Sequence, residues 1–260
     1  MVKRFVFTLS LACIVAGTVW AEAPLEKGNL MMDSVSHGQW RFEGELGARV
    51  DGNVANWLLR MPGANPGLIE MFHRRDRHLP YAEPVPWAGE FAGKYLISAV
   101  QACRMSDDAR VKPFVQAFVD QLVACQAENG YLGPWRADQQ LKGYWDLWGH
   151  YHCMLGLLMW YDDTGDRKAY DCVIRAAECI CTLYVDSGRR PIEAGSPPMN
   201  LSILHVIGDL YRRTANPRYV ELIRRVEEDL PKDGDWLIKG EAGVPYYQLP
   251  GMEITQRKDR

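Results

Sequence analysis

The chain has 260 residues, 47% of them hydrophobic, and a formal net charge of −3 with Lys and Arg not massed in any block. That is enough apolar material for a real core, which excludes disorder for the central part. It lacks the cationic patch that nucleic acid requires of a partner.

The N-terminus has the pattern of a targeting segment. Lys3 and Arg4 form a charged start, Phe5 to Gly17 an apolar core, and Val19-Trp20-Ala21 a small-residue cleavage site. Residues 1–21 are therefore expected to be a signal peptide, and the protein secreted or periplasmic. The apolar run is short for a membrane span, so no membrane association is expected after cleavage; a retained anchor is the competing reading. Residues 22–39 are expected to be an extended lead-in to one domain over 40–260.

Trp40 to Arg77 is mixed in character. Gly52–Leu59 suits a helix, and Met61-Pro-Gly-Ala-Asn-Pro-Gly67 reads as a break. His78 to Trp87 carries Pro80, Pro84 and Pro86 and is expected to be an ordered loop.

From there one unit appears three times: an apolar helix, a turn reading Ser/Thr-x-Asp/Asn, and a second apolar helix. The turns are Ser106-Asp107-Asp108, Thr164-Gly165-Asp166 and Thr214-Ala215-Asn216. The third residue of each is a preferred N-cap, and Pro217 suits the first helical position after Asn216. Three- and four-residue steps predict apolar stripes before the turns at Phe91/Tyr95/Ala99/Cys103, Trp148/His152/Leu155/Met159 and Leu201/Leu204/Gly208/Tyr211. After the turns they predict Phe114/Phe118/Leu122/Cys125, Tyr170/Ile174/Ala177/Cys181 and Val220/Ile223/Val226/Leu230. The connections between hairpins are long: Asn129 to Gly143, Asp186 to Met199, and Pro231 onward. Long connections in a helical domain usually carry function. Tight turns at one face and long loops at the other fit an α/α toroid with its pocket on the loop face.

Of seven cysteines, Cys13 lies in the leader, leaving Cys103, Cys125, Cys153, Cys172, Cys179 and Cys181. Their core-facing helical positions favour free buried thiols, although six could form disulfides. Cys179-Ile-Cys181 has no second half at zinc-binding spacing.

The loop Asn129-Gly-Tyr-Leu-Gly-Pro-Trp135 and the run Tyr144-Trp-Asp-Leu-Trp148 set flat rings beside carboxylate and amide groups. Sugars are held in this way, with rings on their C–H faces; the competing reading is that the aromatics cover a barrel end. His150 and His152 are two apart and do not share a helix face, which favours ordinary hydrogen-bonded histidines over a metal pair. Glycosidic cleavage generally needs two carboxyl groups. The loop-borne candidates are Glu90, Asp146, Glu193 and Glu241, and no two of them declare a pair. Glu90 and Asp146 could instead serve their helix N-termini.

Several segments taken together resemble the β-L-arabinofuranosidase-like proteins of glycoside hydrolase family 127. They are Gly44-Glu-Leu-Gly-Ala-Arg49, Trp87-Ala-Gly-Glu-Phe-Ala-Gly-Lys-Tyr95, Asn129-Gly-Tyr-Leu-Gly133, Gly149-His-Tyr-His152, Thr164-Gly-Asp166 and Gly243-Val-Pro-Tyr-Tyr-Gln-Leu-Pro250. The resemblance implies an all-α fold, here an incomplete (α/α)6 toroid of about three hairpins. It also implies action on non-reducing-end arabinofuranosyl or related sugars of plant-type glycans. His152 falls where the family has a substrate-contacting histidine, and Asn200 where many members have a second one. The expected substrate-binding set is His152, Glu90, Asp146, Trp148, His150 and Trp87. The family's catalysis uses a zinc-bound cysteine and a glutamate acid/base, to which none of these residues corresponds. No cofactor is thus expected from this chain, zinc being expected in full-length members. A truncated or split hydrolase is the expectation, its partner a missing C-terminal half or another copy. The alternatives are a non-catalytic carbohydrate-binding or assembly protein, and a lyase or epimerase using His150, Tyr151 and His152.

Overall fold

The computed structural model describes residues 37–76, 84–85, 87–191 and 197–229. The expected signal peptide, most of the lead-in, Pro80, Pro86, Glu193, Leu230, Glu241 and the Gly243–Pro250 motif lie outside the described residues.

Among the described residues all regular structure is helical. Helix α1 (Gly44–Asn53) continues as a π-helical turn, Val54–Leu58, followed by α2 (Met61–Ala64) and α3 (Gly67–Arg75). The break expected over 61–67 is thus confined to Asn65-Pro66, and the mixed stretch is mostly helical. The hairpins follow: α4 (Glu90–Met105) with α5 (Val111–Ala124), then α6 (Asp146–Thr164) with α7 (Arg167–Cys181). A π-helical turn, Thr182–Asp186, extends α7. After the short α8 (Pro197–Asn200) comes the third pair, α9 (Ile203–Thr214) and α10 (Pro217–Asp229).

The three turns share one hydrogen-bond pattern. The hydroxyls of Ser106, Thr164 and Thr214 each accept the amide of the residue two further on, at 3.2 Å. The Asp108, Asp166 and Asn216 side chains then accept the amides of Arg110, Lys168 and Arg218 at 3.0 Å. Asp166 thereby caps α7, and Asn216 stands in the same place before α10, whereas α5 begins only after Arg110 and has no side-chain cap. Gly165 and Ala215 occupy the left-handed region, with φ of 75° and 56°.

Helices α4, α6 and α9 lie side by side and parallel. Near their starts α4 meets α6 through Glu90–Trp148 and α9 meets α6 through His205–Tyr151, and their last turns meet through Arg104–Asp163 and Asp162–Arg213. Helices α5, α7 and α10 return on the outside. There Gln116 Nε2 donates to Asp166 at 2.9 Å and Asn216 Nδ2 to Glu178 at 2.9 Å, tying each cap to the preceding outer helix. This is an arc of an α/α toroid with three inner and three outer helices.

The helical period of the expected stripes holds, but their phase does not everywhere. Phe91 is 43% exposed, while Ala92, Leu96, Ala99 and Val100 carry the buried face of α4. In α6 the expected Trp148, His152, Leu155 and Met159 are only half-buried, and Leu147, Cys153, Met154, Leu157 and Leu158 are buried. In α9 the buried set is Ile203, Val206, Ile207 and Leu210. An inner helix touches its two inner neighbours and its outer partner, so burial wraps most of its surface. The predicted stripes mark what is left over. The outer helix α5 behaves as expected, with Phe118, Leu122 and Cys125 buried. Among the described residues all six cysteines are free thiols in or beside the core.

Helix α4 crosses α6 at very short range. A Cβ at Gly93 would lie 2.2 Å from the His152 carbonyl carbon, and one at Gly156 would lie 2.9 Å from Leu96 Cγ. Glycine at both positions lets the two backbones approach.

Candidate functional site

The loop joining α5 to α6 is built around Asp146, the first residue of α6. Its carboxylate accepts the Tyr131 hydroxyl at 2.9 Å and the Leu141 amide at 2.7 Å. His150, one helical turn on, accepts the Leu132 amide at Nε2 (3.0 Å), so its proton sits on Nδ1, which donates to the Asp146 carbonyl oxygen at 2.9 Å. Burial, then the Asp146 charge, push the Tyr131 hydroxyl well above its usual pKa and keep it a donor. Arg75 reaches in from α3 to the carbonyls of Gly133 (2.9 Å) and Cys125 (2.8 Å). Trp135 stacks on Tyr144 at 4.4 Å, and the Tyr184 hydroxyl donates to the Leu141 carbonyl.

This arrangement corrects two expected site residues. Asp146 and His150 are 1% and 0% exposed, with their polar atoms engaged by the loop, so neither can face a ligand. They fold the loop because a buried carboxylate needs several donors, and the loop supplies them. His150, Tyr151 and His152 therefore do not assemble as an acid/base trio.

The other four lie together at the N-terminal ends of α4 and α6. Trp148 Nε1 donates to the Glu90 carboxylate, and Lys94, one turn along α4, sits 3.1 Å from the same oxygen. The Lys94 ammonium lies over the Phe91 and Trp148 rings at 5.6 and 5.5 Å. His152 meets Trp148 edge-on with centroids 4.4 Å apart. Trp87 is 43% exposed and lies 6.2 Å from Trp145. Tyr151 extends the row toward α9, its hydroxyl 3.1 Å from His205 Nδ1.

His152 differs from its neighbours. Both ring nitrogens are buried and neither has a hydrogen-bond partner among the described residues. Burial, with a smaller contribution from the Lys94 charge, pushes its pKa down to about 4. At neutral pH it is an uncharged imidazole with one free donor and one free acceptor. Asn200 has a different role: its Oδ1 accepts the Trp148 amide at 3.1 Å and its Nδ2 donates to the Tyr144 carbonyl at 2.8 Å, pinning the loop to α6.

Lys94 and His205 were not foreseen. Lys94 was within reach, since the i, i+4 spacing from Glu90 puts both on one face. His205 comes close only through the packing of α9 on α6. Of the four loop-borne carboxyls, the described residues bring only Glu90 to this cluster. Two clefts, of about 400 and 300 Å³, open at the opposite, tight-turn end, beside Ser106, Asp108 and Asp163.

Zinc, which the resemblance implies for full-length relatives, does not fit these residues. Among the described residues no group of three His, Cys, Asp or Glu could hold a metal ion. Burial pushes the Cys103, Cys125 and Cys179 thiols up to about 11, and Cys172 and Cys181 to about 12, so they pack as neutral thiols.

Comparison with known proteins adds the following. The family model for the β-L-arabinofuranosidase GH127 catalytic domain matches residues 38–236. A GH127 β-L-arabinofuranosidase from Geobacillus stearothermophilus T6 superposes with a TM-score of 0.54 at 18% identity, over 80% of this chain and 35% of that one. A structure described as a glycoside hydrolase gives 0.48 at 17% identity, over 80% and 29%, and a GH127 β-arabinofuranosidase gives 0.45 at 12%, over 70% and 40%. The first of these shares the helical toroid fold. The chain spans about a third of the length of these solved structures. No curated protein matches the sequence.

Proposed function

Because the chain belongs to the β-L-arabinofuranosidase GH127 catalytic-domain family, we propose that it supplies one wall of a carbohydrate site. The site lies at the loop end of the toroid and takes a non-reducing-end arabinofuranosyl or similar sugar of a plant-type glycan. His152 carries the reading, because it is a neutral imidazole with two unpartnered nitrogens among aromatic faces. It offers a hydroxyl-bearing ligand a donor and an acceptor at once. The half-exposed Lys94 ammonium adds a charge-assisted partner for a further hydroxyl, and the buried Glu90 carboxylate holds Lys94 and Trp148 in position. Trp148, Phe91 and Trp87 provide apolar faces for C–H groups.

The cleavage step is assigned to residues other than those described, since one carboxylate stands in this cluster and no group of three metal-ligating side chains is found among the described residues. The charged and apolar pattern of residues 1–21 supports export, so the proposed place of action is the periplasm or the exterior.

Titration calorimetry of the chain with methyl β-L-arabinofuranoside tests the reading. The wild type is expected to bind, and His152→Ala to weaken binding about tenfold, as for the loss of one to two hydrogen bonds. No heat from the wild type, or equal affinity in a variant with an unchanged circular dichroism spectrum, would exclude it.

A further inference from the structure

Helix α9 buries Ile203, Val206, Ile207 and Leu210. His205 stands off that apolar face and is exposed near the loop end of the helix. Its one polar contact among the described residues is with Tyr151 on α6, whose hydroxyl lies 3.1 Å from Nδ1; the two rings are 5.8 Å apart. Asp209, one turn further along α9, is engaged by Arg213 at 2.9 Å and does not compete for the ring.

The direction of the Tyr151–His205 bond follows from its chemistry. Burial raises the Tyr151 hydroxyl above its usual pKa, so it keeps its proton across the neutral range. A phenol donates more readily than it accepts, and the bare nitrogen of a neutral imidazole is an acceptor only. When His205 is neutral, Nδ1 therefore accepts and the ring proton sits on Nε2. The open edge of the ring is then a donor.

Tyr151 joins this donor to the cluster around His152. Its ring lies 4.8 Å from that of His152 and 5.7 Å from that of Trp148. Two imidazoles thus adjoin one aromatic ring, His152 with both nitrogens unpartnered and His205 with one held and one open. A clamp between α6 and α9 needs only the held nitrogen. It gives no reason for open imidazole nitrogens on both sides of the Tyr151 ring.

We infer that His205 is a further sugar contact, its Nε2–H donating to a hydroxyl of the ligand that His152 engages, and that Tyr151 is the positioning residue that holds His205 in this tautomer. The inference rests on the sugar reading of the cluster. A ligand lying across Tyr151 meets an imidazole from α6 and another from α9, so the site selects a sugar with hydroxyls on both sides.

The test is a double-mutant cycle read by titration calorimetry with methyl β-L-arabinofuranoside. His205→Ala is expected to weaken binding about three- to tenfold, as for the loss of one hydrogen bond. His205→Gln places an amide N–H where Nε2–H stood and should stay within about twofold of the wild type. Tyr151→Phe keeps the ring and removes the hydroxyl. It should weaken binding about two- to threefold in the wild-type background and leave the His205→Ala protein unchanged. A mere clamp would lower the urea midpoint in these variants and spare affinity, which would overturn the inference. Equal effects of Tyr151→Phe in both backgrounds would overturn it too. If His152→Ala weakens binding and His205→Ala does not, this inference falls and the sugar reading stands. If the wild type gives no heat, both fall.

Discussion

At the scale of single residues, His152 sets a pH dependence whose sign can be worked out. Its pKa is about 4 in the folded chain and about 6.5 when unfolded. Between those values the unfolded chain takes up a proton that the folded one refuses. Its contribution to stability is therefore full above about pH 6.5 and is lost as pH falls toward 4. Urea midpoints across this window should fall less steeply in His152→Gln than in the wild type. Parallel curves would mean that the surroundings of the ring do not hold it neutral. The turn residues give a second effect of the same scale. Gly165 has φ of 75°, a conformation a Cβ disfavours by roughly 1–2 kcal/mol, and nothing lies within 4 Å of where that Cβ would be. Gly165→Ala should lower stability by about 1 kcal/mol through the backbone alone, read as a melting temperature about 2–4 °C lower. Ala215 already bears this cost in the third hairpin.

Between elements, the contact that places the candidate site is the crossing of α4 and α6. At Gly93 an added Cβ would meet α6 backbone at 2.2 and 2.3 Å; at Gly156 it would meet the Leu96 side chain less closely, at 2.9 Å from Cγ and 3.1 Å from Cβ. Gly93→Ala should therefore cost about 3 kcal/mol, the upper range for overpacking, and Gly156→Ala about 1 kcal/mol. Since the Gly93 clash falls on His152, sugar affinity should fall with stability in the first variant and hold in the second. Equal losses in both would mean that the helices separate freely. This is also the scale at which the sequence speaks unevenly. The three turns were plain because Ser/Thr-x-Asp/Asn is a local turn and capping chemistry; their hydrogen bonds repeat, although Asp108, unlike Asp166, does not itself cap the helix that follows. The phase of α6 was hidden because a helix buried on several sides has no single stripe to read. Asp146 and His150 looked like site residues because the chemistry that binds a sugar also folds a polar loop. Only the amides of Leu132 and Leu141, which a motif does not reveal, separate the two uses.

Across the whole molecule the two ends of the inner helices do different work. Helix α6 has 19 residues and runs about 28 Å from the loop end, with Trp148 and His152, to the turn end, with Asp162 and Asp163. The turn end is held by bidentate arginine pairs with side chains 12–28% exposed. Such pairs are stronger than open surface pairs yet still reached by salt. Removing both acids by Asp162→Asn with Asp163→Asn should cost about 2–3 kcal/mol in total, at about 1–1.5 kcal/mol for each charge-assisted pair lost. The cost should shrink in 1 M NaCl, where the wild type has already lost part of the attraction. At the other end, Asp146→Asn keeps the side-chain shape but replaces one acceptor oxygen with a donor facing Tyr131 and Leu141. That change should loosen the 129–146 loop and reduce sugar affinity severalfold. The double variant should leave affinity within about twofold, because no charge near the sugar has moved and a Debye length of about 10 Å screens the distant change. Measuring urea midpoint and sugar affinity on both variants separates the ends: one should move stability alone, the other both quantities. If the turn-end variant shifts affinity as much as the loop-end one, the arc bends as a single spring and the site cannot be assigned to the loop end alone.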